Sequence, residues 1–340
     1  MPDSPMFVGS MVQVSVHTND GTTFAHFERM KPAARSMAAD LGLISLAGIW
    51  GLNFSVVKVV LREMDPFALN ALRFPLAALA FWVVLRRRPG PRKPAREDVP
   101  RILLLGLVGN VIYQVCFIQG LDLTLAGNAS LLLATTPVWT LALSAFAGHE
   151  RPTVRVVSGI GITLIGITLV IVGRGGGLGL AASTLRGDLL MLGAAALWSG
   201  YTVWGRAPVA RYGPLRMTAW SLWIATPAIV LMGVPSLRGT ALGDVSAGAW
   251  IGVLYAGVLS IAVAYVLWYR GVQLLGNSRT AVYSNLVPVT ALVVAWLWLG
   301  ETPTPPQLLG ACVILGGLWL SRTAQMPGPS SLRWRSSGNS

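Results

Sequence analysis

Apolar residues fall along this chain in long blocks, and the polar positions collect in the short gaps between them. The blocks run at 38–60, 66–86, 100–121, 125–147, 153–173, 187–207, 214–234, 247–270, 276–299 and 304–322. Each is long enough to cross a hydrocarbon core of about 30 Å at about 1.5 Å per residue. The pattern therefore predicts an all-α integral membrane protein with ten transmembrane helices. Residues 1–36 form a polar lead without a charged-then-apolar signal pattern, so no cleaved signal peptide is expected. Residues 324–340 form a polar tail. Pro66, Pro152, Pro214 and Pro303 stand at the starts of blocks, where a missing N–H costs nothing. Glu150 and Glu301 come two residues before Pro152 and Pro303, which predicts that each carboxylate faces the open N–H groups of the helix that follows. A gating or coupling role is the alternative for both acids.

Composition agrees and closes other routes. Of 340 residues, 54% are hydrophobic and only 11% charged, with mean hydropathy +0.62. Soluble domains carry about a quarter charged residues, and disorder needs low hydrophobicity. Cys116 and Cys312 lie inside apolar blocks and are too few for a disulfide framework or a Cys-rich zinc site. The net charge of +13 is a matter of topology. With the N-terminus in the cytoplasm, the inner segments hold Arg29, Lys31 and Arg35, the run from Arg86 to Arg101, Arg151 and Arg155, Arg206, Arg211 and Arg216, Arg270 and Arg279, and Arg322, Arg333 and Arg335. The outer segments hold only Arg62, Arg174, Arg186 and Arg238. This positive-inside bias predicts a multi-pass protein of the cytoplasmic (inner) membrane with both termini cytoplasmic, and argues against a nucleic-acid partner.

The chain also repeats itself. Asp40, Trp50 and Pro66 recur 148 positions later as Asp188, Trp198 and Pro214. Gly120, Pro137, Glu150, Pro152, Gly159 and Gly166 recur 151 positions later as Gly271, Pro288, Glu301, Pro303, Gly310 and Gly317. Two five-helix units follow, 37–173 and 187–323, joined by a Gly-rich linker at 174–186. Five is odd, so the second unit enters the membrane from the opposite side. Inverted repeats of this kind are an architecture of secondary transporters, with the solute held near the midplane where the repeats meet.

Several stretches resemble a known family. Trp50-Gly51-Leu52-Asn53-Phe54 followed by Lys58, then Leu72-Arg73-Phe74, is similar to the opening of an EamA-type unit of the drug/metabolite transporter superfamily. Ala126-Gly127-Asn128-Ala129 leading to Pro137 and Gly148-His149-Glu150-Arg151 is similar to the end of that unit, as is Leu286-Val287-Pro288 leading to Gly300-Glu301 and Gly310. The resemblance covers about residues 38–322. It implies a ten-helix carrier that works by alternating access and commonly exports small metabolites or amino acids. The second copy departs from the pattern: Ser199-Gly200-Tyr201 replaces Gly51-Leu52-Asn53, Arg206 replaces Lys58 and Ser221 replaces Arg73. A role for the Lys58/Arg73 pair is therefore expected in the first half alone.

Ionisable groups within a span are costly and so mark function. Lys58 lies near the outer end of the first block and either snorkels or lines a cavity. Arg73 is deeper, held structurally by carbonyls or by Asn70 one turn earlier, or else facing an anionic group on the translocation path. No acid lies well inside a block, which disfavours lipophilic cations and favours neutral, zwitterionic or anionic solutes. Asn53, Tyr113, Gln114, Trp198, Tyr201, Tyr265 and Tyr283 complete the substrate-binding candidates, because polar groups in lipid should face the bundle interior. Gln114 and Tyr265, 151 apart, are expected at equivalent depths on a central cavity. Helix–helix hydrogen bonding is the competing role for each. Gly159 and Gly166, one heptad apart, predict close helix packing.

Gly173–Gly177 lacks a preceding strand and a following Lys-Ser/Thr, so it is no phosphate cradle. His17, His26 and His149 have no ligand spacing, and no catalytic cluster is expected. The sequence thus predicts a non-enzymatic carrier, needing no cofactor or metal, with a small-molecule solute and the lipid bilayer as partners. A carrier of larger anionic conjugates such as nucleotide sugars, a lipid scramblase and an assembly partner are the rival readings. The oligomeric state is not legible.

Overall fold

The computed structural model of the chain describes residues 32–146, 154–172, 182–275, 283 and 286–323. Every regular element among them is helical. We number these α1 (Pro32–Val60), α2 (Pro66–Leu85), α3 (Val99–Gly106, a π-helical segment Leu107–Ile112, then Tyr113–Leu123), α4 (Ala126–Leu133) and α5 (Thr136–Phe146). They continue as α6 (Val154–Val172), α7 (Ala182–Tyr212) and α8 (Pro214–Gly239). After these come α9 (Ala247–Leu254, a π-helical segment Tyr255–Val263, then Ala264–Leu275), α10 (Leu286–Leu299) and α11 (Pro305–Thr323). Five helices among the described residues are long and apolar enough to cross a membrane: those at 40–60, 66–85, 96–123, 215–239 and 247–268.

Local chemistry sets the boundaries. Asp65 caps α2, accepting from the Phe67 N–H at 2.8 Å, with Pro66 in the first turn. The block at 125–147 is not one helix but two. At the break the Thr135 and Thr136 hydroxyls donate back to the Leu132 and Leu133 carbonyls, both at 2.6 Å, and Pro137 brings no N–H to continue the ladder. Gly300, at φ +69, closes α10 in the left-handed conformation that only glycine adopts freely.

The expectation for Glu301 needs correction. Its two carboxylate oxygens accept from the Ala126 and Gly127 N–H groups at 3.2 and 3.3 Å, so it caps α4 in the first half and not α11, the helix that follows it. The start of α11 is already closed by its own reciprocal pair, Thr304 N–H to Gln307 Oε1 at 2.8 Å and Gln307 N–H to Thr304 Oγ1 at 3.4 Å. That leaves Glu301 available to a neighbour. Glu150 and Pro152 lie outside the described residues.

Helices 148 or 151 residues apart pack against each other. The Trp223 indole on α8 donates to the Ala78 carbonyl on α2 at 3.0 Å, while Gly233 meets Phe67 and Ala71, so α2 and α8 run antiparallel. Along α6 and α11, Gly159 and Thr163 face Gly317, and Gly166 and Val170 face Gly310 and Ile314, again antiparallel. Here Gly159 and Gly166 do provide the close packing expected of them. A Cβ on Gly310 would stand 2.8 Å from the Gly166 carbonyl oxygen and 2.9 Å from the Val170 nitrogen. Both obstacles are backbone, so Gly310→Ala should destabilise the chain by about 1–3 kcal/mol, read as a lowered thermal midpoint in detergent. Further contacts cross between halves: α1 lies against α9 and α10, and α7 lies against α3, α4 and α5.

The described residues present apolar side chains outward and enclose polar ones within an apolar core. Leu104, Ile165, Leu231, Ile251, Leu297 and Trp319 are all more than half exposed, whereas Asn70, Arg73, Asn128 and Thr163 are buried. That inversion of the soluble pattern suits a lipid solvent. At the ends of the helices, polar contacts tie the connections down. Arg211 pairs with Glu97 and Asp98 at 2.5 and 2.7 Å, and the Glu97 carboxylate raises its pKa. Glu63 accepts from the Ser246 N–H and hydroxyl at 2.7 and 2.8 Å, which holds its carboxyl below the usual range.

Candidate functional site

The largest fully buried side chain among the described residues belongs to Arg73, 1% exposed on α2. Asn70 sits three residues earlier, on the same helix face, and its Oδ1 accepts from Arg73 Nε at 2.9 Å. From α3, Gln114 Oε1 accepts from Arg73 Nη2 at 2.7 Å. Both partners are neutral amides. Among the described residues no carboxylate pairs with Arg73, so the positive charge is oriented but not neutralised.

Aromatic rings continue from it without a gap. Arg73 lies over the Phe117 ring at 5.9 Å, within cation–π range. Phe117 stacks with Tyr113 at 5.9 Å and meets Phe54 edge-on at 5.9 Å. Trp198 stands 5.2 Å from Tyr113, 5.5 Å from Tyr201 and stacks on Tyr265 at 5.9 Å, with 7° between the planes. Tyr265 in turn meets Trp50 edge-on at 6.2 Å, and Trp50 lies 5.8 Å from Trp268. The Trp50 indole donates to the Ser260 carbonyl at 2.9 Å, inside the π-helical segment of α9. The cluster thus joins α1, α2 and α3 to α7 and α9, drawing on both halves of the chain.

Seven of the ten candidates come together here: Asn70, Arg73, Tyr113, Gln114, Trp198, Tyr201 and Tyr265. Gln114 and Tyr265 enter by different routes, one through Arg73 and one through the tryptophans. Asn53 is buried, 6% exposed, on the turn between Trp50 and Phe54, and its Oδ1 has no hydrogen-bond partner among the described residues. Lys58 lies apart, donating to the Leu121 and Asp122 carbonyls at 2.9 and 2.6 Å, where it closes the end of α3. Tyr283 donates to Asp40 at 2.7 Å, tying the α10 approach to α1. Sequence reasoning missed Trp50, Phe54, Phe117 and Trp268 as members. Trp50 had a signal, since its counterpart Trp198 was already a candidate. Asn110, in the π-helical segment of α3, was also missed. It is 5% exposed and its Nδ2 has no partner among the described residues.

The surroundings of Arg73 recur in the second half with the charge removed. A Cβ on Gly257 of α9 would stand 2.8 Å from the Arg73 carbonyl oxygen, and one on Gly106 of α3 would stand 3.0 Å from that of Ser221. Gly257 follows Gly106 by 151 positions and Ser221 follows Arg73 by 148. Tyr201, 148 after Asn53, shares a hydrogen bond with Ser221 at 3.0 Å. One half carries a guanidinium where the other carries a hydroxyl pair.

Glu301 caps α4, and Asn128 in the first turn of α4 accepts from Gln307 Nε2 at 2.9 Å. Glu301→Ala should cost about 1 kcal/mol, the usual loss of a helix cap. Differential scanning fluorimetry would read it as a lowered midpoint, and Glu301→Gln should fall between.

The profile of the EamA-like transporter family matches the chain twice, over residues 37–172 and 185–323. A probable terminal-alkyne amino-acid exporter of Streptantibioticus cattleyicolor is 30% identical over 271 residues, covering 80% of this chain and 89% of its own. A probable amino-acid metabolite efflux pump of Salmonella typhimurium is 30% identical over 302 residues, 82% of this chain and 95% of its own. A protein of known crystal structure, 19% identical, shares the fold with a TM-score of 0.60 over 85% of this chain and 98% of its own.

Proposed function

The chain belongs to the EamA-like transporter family, and from that premise we propose that it exports amino-acid-like solutes across the cytoplasmic membrane by alternating access. It is a multi-pass membrane transporter of small metabolites, as its family and apolar helices require. Our reading goes further, to ten spans arranged as two five-helix repeats of opposite orientation, with both termini cytoplasmic. The antiparallel pairs α2/α8 and α6/α11 support the inversion, because helices related by an in-plane two-fold axis must cross in opposite directions. The distribution of basic residues supports the orientation.

One observation carries the choice of solute: a buried guanidinium, oriented by two neutral amides, at the meeting of the two repeats. A carboxylate would give Arg73 the charge-assisted, two-pronged partner that none of the described residues supplies. The unpartnered Asn53 Oδ1 is an acceptor for the solute's ammonium, and the Tyr113, Trp198, Tyr201 and Tyr265 rings take its side chain. The relatives named as amino-acid exporters fit this assignment. We assign Lys58 and Tyr283 to the rim, where their hydrogen bonds hold α3 and α1. The π-helical segments of α3 and α9 are where the two half-bundles would bend, since such segments interrupt the regular helical ladder.

Counterflow in proteoliposomes tests this. Vesicles preloaded with an unlabelled amino acid should accumulate the labelled form in a saturable manner, and nucleotides should not compete. Competition by nucleotides, with amino acids inert, would overturn the assignment in favour of nucleotide-conjugate transport.

A further inference from the structure

On the outer flank of α3 and α7, away from the central cluster, lies an apolar groove of about 410 Å³. Cys116 contributes one wall and Leu185, Leu189, Leu190 and Gly193 the other. Along α7 it runs from Leu185 to Gly193, about 12 Å of helix. Below it the two helices touch closely, because Gly120 meets Gly187 and Met191. At Gly193 the helix surface stands open: a Cβ there would meet nothing within 4 Å. Arg186 stands at the lip, exposed. Among the described residues it has no hydrogen bond or ion pair.

A cation without a partner among the described residues, at one end of an apolar slot, complements a molecule with an anionic head and a hydrocarbon tail. Arg186 immediately precedes the apolar block 187–207, which sets it at headgroup level with the slot in the hydrocarbon. We propose that this groove binds one glycerophospholipid with an anionic headgroup, its phosphate on Arg186 and an acyl chain between α3 and α7 as far as Gly193. The lipid is a bound partner of the fold and not the exported solute. This inference rests on α3 and α7 spanning the membrane and is independent of the solute.

Cys116 supplies the readout. In a Cys312→Ser chain, delipidated in detergent, alkylation of Cys116 by N-ethylmaleimide is followed by mass spectrometry with and without phosphatidylglycerol. Phosphatidylglycerol should slow alkylation, and glycerol phosphate, which has no chains, should not. Arg186→Gln should require about fivefold more phosphatidylglycerol for the same protection, as expected for one cation at a lipid surface. Gly193→Leu should fill the groove and make alkylation slow whether or not lipid is present. An alkylation rate unchanged by phosphatidylglycerol would overturn the proposal. So would protection that grows with protein concentration in the absence of lipid, which would assign the groove to a second copy of the chain. Counterflow with the same Cys312→Ser chain, reconstituted into phosphatidylglycerol-containing vesicles, separates the two readings, since lipid protection without solute flux refutes the transport assignment and supports the groove.

Discussion

Proteoliposomes carrying Arg73→Gln should lose flux of a carboxylate-bearing solute by about thirtyfold or more, the usual consequence of removing one partner of a buried charged pair. The loss should depend on the solute. An amino-acid amide, lacking the anionic group, should show little difference between the two chains. Arg73→Lys should fall between, because an ammonium restores the charge but cannot reach Asn70, Gln114 and a carboxylate with one planar fork. A purely structural Arg73 would give another pattern: both solutes would slow together and the thermal midpoint would fall in step. Equal flux of the carboxylate solute in Arg73→Gln and wild type would remove Arg73 from the site.

Trp198→Ala should have the largest effect on stability. The indole touches Tyr113, Tyr201 and Tyr265, which come from α3, α7 and α9, so its loss opens a void where the two halves meet. Large aromatic truncations cost about 3–5 kcal/mol when fully buried. Trp198 is half-buried, so about 3 kcal/mol is expected. Thermal unfolding in detergent should show a clear drop. Trp198→Phe should recover most of it, since a ring can still stack on Tyr265, while flux stays impaired through the narrower face offered to the solute. An unchanged midpoint in Trp198→Ala would mean that the ring cluster does not hold the halves together.

What could be read in the sequence was whatever depended on spacing along it. The α2 start follows from Pro66, the close packing of α6 from glycines one heptad apart, and the Arg73–Asn70 bond, one of the alternatives open for Arg73, from a separation of three residues on one helix. Trp198 was a candidate because polar groups in lipid should face the bundle interior, yet the offset of 148 did not bring Trp50 into the site with it, although the two are the same position in the two copies. What escaped were partners chosen by the tertiary fold. Glu301 looked ready to cap the helix after it, but Thr304 and Gln307 already do so, and the carboxylate turns to α4, 174 residues away at Gly127. Lys58 shows the same limit: its depth in the block was legible, but not the Leu121 and Asp122 carbonyls that receive it. The division of α4 from α5 rests on Thr135 and Thr136 back-bonding, which apolar patterning does not register.

Inversion of the two repeats is the claim on which the solute site, the cross-packing and the orientation all depend. The connections between the second and third helices of each repeat, 86–98 and 240–246, are equivalent in the two copies and should face opposite sides of the membrane. Single cysteines at Arg92 and Gly243, in a chain with Cys116→Ser and Cys312→Ser, can be labelled in intact cells with a membrane-impermeant maleimide. Gly243→Cys should label from outside, and Arg92→Cys only after the membrane is opened. Labelling of both from the same side would contradict the account.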